Sequence, residues 1–91
     1  MNIKLTKPLV VKGQQVSEIK LDFTGITGKE LIEAENEARA IGDQSPSVFL
    51  SMRFQAILAA KIIGVPVDDL LALPAEDFRK LVLPVANFLL G

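Results

Sequence analysis

The 91-residue sequence contains no cysteine, histidine, tryptophan or tyrosine. Without cysteine there is no disulfide framework, thiolate metal site or thiol nucleophile, and a reducing cytoplasm is the simplest compartment. Without histidine the commonest general base and the commonest metal ligand are both missing, which argues against an ordinary hydrolytic or zinc enzyme. No charge of one sign dominates: 10 Lys and Arg against 11 Asp and Glu leave a net charge of −1, unlike a basic nucleic-acid-binding arm. No run reaches the ~18 uninterrupted apolar residues of a membrane span. Met1-Asn2-Ile3-Lys4 lacks the apolar stretch and small-residue cleavage site of a signal peptide. The most lipid-like segment, Val48 to Ile63, is broken by Ser51, Arg53, Gln55 and Lys61, and as a helix of roughly 24 Å it falls short of a ~30 Å hydrocarbon core. Neither secretion nor a membrane partner is expected.

What the sequence does contain is apolar surface. Hydrophobic residues make up 49% of the chain, which excludes a disordered tail. The mean hydropathy of +0.37 is high for a length that supports one domain, 1–91, with one core.

From Ile3 to Phe23 the pattern has period two, with Ile3, Leu5, Ile19, Leu21 and Phe23 alternating with polar residues. That predicts a β-hairpin over 2–23 with its turn near Gly13, and Pro8 on an outward edge or at a bulge. The period then changes. Thr27-Gly28-Lys29-Glu30 has the form of a capping box, predicting a helix over about 28–41 that carries Leu31, Ala34, Ala38 and Ile41 as its apolar stripe and ends at Gly42. Between residues 29 and 43, Glu30, Glu33, Glu35, Glu37 and Asp43 face only Lys29 and Arg39, a net charge of about −3. A solvated outer face explains this, as does an acidic surface for a basic partner. Ser45-Pro46 reads as the start of a second helix over about 46–63. There, twelve of eighteen residues are apolar. Val48, Phe49, Met52, Ala56, Ala59, Ala60 and Ile63 line one face, and Leu50, Phe54, Ile57, Leu58 and Ile62 fall on the other. Either the rest of the chain wraps this helix or another subunit or partner covers its second face. Pro66 and Pro74 open two further helices, about 66–72 and 75–89, with Asp68, Asp69, Glu76 and Asp77 in their first turns, where the macrodipole favours carboxylates; Pro84 should kink the last one. The expected fold is α+β: a hairpin followed by about four helices.

Candidate chemistry is sparse. Asp68-Asp69 and Glu76-Asp77 are neighbours that diverge on a helix, so no catalytic or metal-binding pair is assigned. Gly25-Ile26-Thr27-Gly28-Lys29 lacks the spacing of a phosphate loop, and no cofactor is expected. Residues 59–73 read like a helix-turn-helix, the basis of an alternative as a small DNA-binding regulator. However, the second helix would present Asp68 and Asp69 to phosphates, with no Arg, Lys, Asn or Gln between Gly64 and Leu73 to read a base. A nucleic-acid partner is therefore not expected.

The order of Leu5 to Pro8, Gly13 and Val16, then Leu21, Thr27-Gly28 and Leu31, then Gly64-Val65-Pro66, Leu70, Leu73-Pro74, Asp77-Phe78 and Phe88-Leu89 resembles the tail assembly chaperones of tailed bacteriophages. The resemblance implies a non-enzymatic factor of the host bacterial cytoplasm. It would bind the tape measure protein, keep it from aggregating and recruit the major tail tube protein. It also implies a minor longer product made by ribosomal slippage, which Asn87-Phe88-Leu89 permits if encoded on a slippery heptamer. The candidate partner-binding residues are Val48, Phe49, Met52, Ala56 and Ala59, where Met and Phe suit an adaptable apolar surface. Assembly into a homo-oligomer is expected, either through these residues or through a free hairpin edge.

Overall fold

In the computed structural model, which describes residues 1–91, two antiparallel strands, β1 (Asn2–Val11) and β2 (Gln14–Lys20), precede four helices: α1 (Gly28–Ala40), α2 (Met52–Ile63), α3 (Val67–Leu71) and α4 (Ala75–Leu90). A single 3₁₀ turn, Val48–Leu50, lies before α2. The architecture is the α+β arrangement that the change of period implies.

The hairpin turns on Lys12 and Gly13, both at positive φ (51° and 81°), between the paired residues Val11 and Gln14. Two central residues of that kind form the turn whose twist matches the strands on either side. Ile3, Leu5, Leu9, Ile19 and Leu21 are buried on the inner face. Pairing is regular from Asn2 to Lys4 and again from Leu9 to Val11. In between, Leu5 to Pro8 on β1 oppose only Ser17 on β2. Pro8, which has no N–H to give a ladder, sits in this bulge. Beyond β2, Phe23 stacks on Phe88 of α4 with ring centroids 4.6 Å apart and planes 7° from parallel.

The bulged segment is held from the other side. Asp77, in the first turn of α4 and fully buried, accepts hydrogen bonds from the Thr6 amide (2.8 Å), the Thr6 hydroxyl (3.0 Å) and the Lys7 amide (3.0 Å). The donors that leave the β-ladder thus find a carboxylate, and the charge at Asp77 has three donors in place of water. Dipole stabilisation alone, sufficient for the exposed Glu76 beside it, does not describe Asp77. The Thr6 amide above all, with Lys7 and the Thr6 hydroxyl, holds its pKa below the usual carboxylate range.

α1 starts where expected, although Thr27 does not close a capping box. Its hydroxyl makes no bond to a helix amide and instead lies 3.5 Å from the Glu30 carboxylate. At the other end, Gly42 at φ 100° lets the Asp43 amide reach the Ala38 carbonyl (3.0 Å), a left-handed C-terminal closure.

α2 begins at Met52, six residues later than the sequence suggests, and is buried at every position from Phe54 to Ala60. Seven consecutive residues at 100° each pass all the way round a helix, so no side of this stretch faces solvent. The 3₁₀ turn, α1, α3 and α4 pack around it. Fully buried alanines on both partners, Ala34 and Ala38 on α1 and Ala56 and Ala59 on α2, allow the two helix axes to come close. The Lys61 ammonium bridges to the Glu37 carboxylate at 2.9 Å across the same contact. The apolar second face of this helix is therefore wrapped by its own chain. α4 continues as one helix through Pro84 to Leu90. The proline, which has no N–H, deprives the Lys80 carbonyl of its helical donor.

Candidate functional site

The late start of α2 creates the most distinctive surface of the molecule, and a buried aspartate organises it. Asp43 is 3% exposed and accepts from the Ser45 amide at 2.9 Å and from the Ser51 hydroxyl at 2.5 Å. Ser51 in turn accepts from the Phe54 amide at 3.1 Å and so caps α2. A continuous helix from Pro46 would separate Asp43 from Ser51 and spend Ser51 inside a turn, where it has no cap to make. The donors from Ser45 and Ser51 stabilise the charged form of Asp43 and hold its pKa down at about 2. The Gln55 amide is also drawn inward, 3.4 Å from the Phe49 carbonyl.

With its polar groups committed, the segment turns Val48 into the core and Phe49 and Leu50 outward. Phe49 is 41% exposed, Leu50 52% and Met52 62%; Ile32 on the adjacent face of α1 is 57% exposed. Leu31, Ile32, Pro46, Phe49, Phe54 and Leu89 line a groove of about 350 Å³ between α1, the 3₁₀ turn and the end of α4. Met52 lines a separate depression of about 430 Å³ with Ala75, Phe78 and Val82 of α4. A surface of this kind receives an apolar helix face better than a small polar molecule. No three His, Cys, Asp or Glu side chains of the chain come together as a metal site.

The five residues expected to meet a partner divide. Phe49 and Met52 reach the surface, whereas Val48 (5% exposed), Ala56 and Ala59 (both 0%) lie in the core beneath them. Ala56 and Ala59 shape the platform from within, and Val48, though nearly covered, is among the residues that line the groove beside Phe49. Helical periodicity put all five on one stripe because it ran the helix through Ser51. Ile32 and Leu50, absent from that stripe, are among the most exposed apolar residues of the corner. Asp43 was legible only as part of an acidic run, though Asp43-Gln44-Ser45 has the local form of an aspartate that bonds the backbone two residues on.

The family model for phage tail assembly chaperone proteins, described as E, or 41 or 14, matches residues 2–90. The chain belongs to that family. A comparison with curated proteins returns no match, and neither does one with solved structures. Within this chaperone-family chain, Asp77 and Phe78, part of the resemblance in the sequence, have plain structural duties: one ties α4 to β1 and the other packs against the core. The α2–α3 corner that reads like a helix-turn-helix is built around Gly64 at φ 90°. α3 has five residues with Asp68 and Asp69 in its first turn, which repel a phosphate backbone. No helix of this chaperone-family chain is long and apolar enough to cross a membrane.

Proposed function

We propose that this protein acts in the host bacterial cytoplasm as a non-enzymatic chaperone of tail assembly. It binds the tape measure protein through the corner formed by Ile32, Phe49, Leu50 and Met52 and brings major tail tube subunits to it. The observation that carries the reading is the family match over residues 2–90. The exposed corner supports it physically, because side chains that a monomer leaves 41–62% in water gain from an apolar helix laid across them. Val48, Ala56 and Ala59 contribute from beneath by fixing the position of that surface.

Co-expression with the tape measure protein of the same phage or prophage tests the reading. The expected result is a tape measure protein that stays soluble and co-purifies with the wild-type chain, and that is lost when Phe49→Ser and Met52→Ser are combined in a chain that still folds. A tape measure protein that remains insoluble and unbound beside a folded wild-type chain overturns the proposal. Retention by the double variant overturns the assignment to this corner.

A further inference from the structure

The outer edge of β1 is only partly covered. Met1 and Leu21 exchange backbone hydrogen bonds across the hairpin at 2.9 and 3.4 Å, so strand alternation turns the backbone groups of Asn2, Lys4 and Thr6 away from β2. Side chains of α4 take up the far part of this edge. The Thr6 amide donates to Asp77, and the Lys4 carbonyl accepts from the Lys80 ammonium at 3.2 Å. The Asn2 amide and carbonyl and the Lys4 amide find no such partner within the chain. They border a groove of about 400 Å³ between the start of β1 and α4, walled on the helix side by Arg79, Lys80, Leu83 and Pro84, with no carboxylate among its lining residues. Leu83 is 52% exposed, and Arg79 is exposed and makes no ion pair within the chain. Glu76, 3.7 Å from Lys80, and Glu18, paired opposite Lys4 in the sheet, lie at the margin and offset part of the charge.

We infer that this groove binds an extended acidic segment of another protein, which adds to β1 as a third strand. The unpaired groups at Asn2 and Lys4 receive the main chain of a strand and not that of a helix, whose amides and carbonyls are already used. Lys4, Arg79 and Lys80 select carboxylates, and Leu83 with Pro84 gives an apolar side chain of the segment a surface to rest on. A second copy of the hairpin is a poor occupant. Residues 1–20 carry Lys4, Lys7, Lys12 and Lys20 against Glu18 alone, and two edges of that charge repel. The bulge from Leu5 to Pro8 and the Asp77 clamp end the free stretch, so the added strand pairs only with the first residues of β1. The groove shares no lining residue with the one beside Phe49, and only Arg79 is common to it and the depression at Met52. The inference therefore does not rest on tape measure binding at that corner.

The probe is a fluorescein-labelled peptide that alternates Glu with Val, titrated with the full chain and read by fluorescence anisotropy. Two control peptides accompany it: one with Lys in place of Glu, and one N-methylated throughout, which keeps its charge and loses every backbone donor. The acidic peptide is expected to bind saturably at low salt and to weaken as salt rises, since screening over ~10 Å at 0.1 M removes the charge contribution. The Lys peptide is expected not to bind, and N-methylation to weaken binding by about fivefold or more, the worth of one such hydrogen bond. Lys4→Glu combined with Arg79→Glu, in a chain shown by circular dichroism to be folded, is expected to weaken it by about tenfold or more. Hydrogen exchange at the Lys4 amide should slow when the peptide is bound. No binding of the acidic peptide at low salt overturns the proposal, as does equal binding by the N-methylated peptide or by the double variant. Displacement of the peptide by inorganic phosphate or a single-stranded oligonucleotide at equal concentration overturns it in favour of a phosphate ligand. Slow exchange at Lys4 before any peptide is added overturns it in favour of a second copy already on that edge.

Discussion

Two substitutions on α2, seven residues apart, distinguish a wrapped helix from one with an open docking face. Ala59 is 0% exposed at the α1–α2 approach, while Met52 is 62% exposed at the start of the same helix. Ala59→Leu adds three carbons where there is no room, and overpacking of this kind costs about 1–3 kcal/mol. In a domain of this size that corresponds to a fall in melting temperature of roughly 8–16 °C for a mid-range cost of about 2 kcal/mol. Met52→Ser removes a side chain with about two-fifths of its surface covered. Scaling the ~1.5–3 kcal/mol of full burial by that fraction gives about 0.6–1.1 kcal/mol, roughly half the effect or less. Urea unfolding followed by far-ultraviolet circular dichroism, with unchanged m-values as the check on two-state behaviour, measures both. If Ala59→Leu is neutral or stabilising, the face beneath it is open and the wrapped description of α2 is wrong.

Acid should destabilise the fold over a definite window. Asp22, held down mainly by the Thr24 hydroxyl, Asp43, held at about 2, and Asp77 all have folded pKa values below their ordinary one. Such groups stabilise fully above an unfolded value of ~3.9 and lose that contribution as pH falls through the folded values, so stability declines between about pH 4 and 2. Asp43→Asn and Asp77→Asn flatten that decline in a pH series of melting curves. Asp77→Asn should also speed amide hydrogen exchange at Thr6 and Lys7 more than at Leu9 or Val11, because an amide group cannot accept from all three of the donors that the carboxylate satisfies. Gly64→Ala should cost about 1 kcal/mol in urea titrations: nothing lies within 4 Å of an added Cβ, so the whole penalty is the positive φ of 90°.

Local rules carried most of the architecture, and their failures share one cause. The strand period, the Lys12-Gly13 turn, the Gly42 and Gly64 stops and the four helical segments were all written in residues close in sequence. The start of α2 was not. Ser45-Pro46 is a sound helix-start signal, yet it lost to Ser51, which gains both a cap on Phe54 and a bond to Asp43 eight residues back. The same holds for Asp77, whose partners Thr6 and Lys7 lie 71 and 70 residues away. A first-turn carboxylate with dipole stabilisation and one with three buried donors look alike in a sequence. The candidate site suffered most: Met52, Ala56 and Ala59 do share a face of α2, but Met52 is its first residue and emerges while the two alanines are covered, and carrying the helix back to Pro46 set Val48 and Phe49 on that stripe although only Phe49 is well exposed. Of the apolar residues between 48 and 63 most are core and only Phe49, Leu50 and Met52 at the amino-terminal edge stand largely in water, while further exposed apolar side chains lie on α1 (Ile32) and α4 (Leu83, Phe88, Leu90).

The Asp77 clamp also sets an order of events during synthesis. β1 leaves the ribosome first, and a two-stranded hairpin has little stability by itself. Its docking point on α4 is made some seventy residues later, and the helix that forms the centre of the core needs both α1 before it and α4 behind it. The nascent chain therefore carries an unfinished apolar interior for most of its translation and closes only when the last helix arrives to grip the first strand. Any shortening that removes Ala75 onward should leave an exposed, aggregation-prone intermediate and not a smaller folded protein.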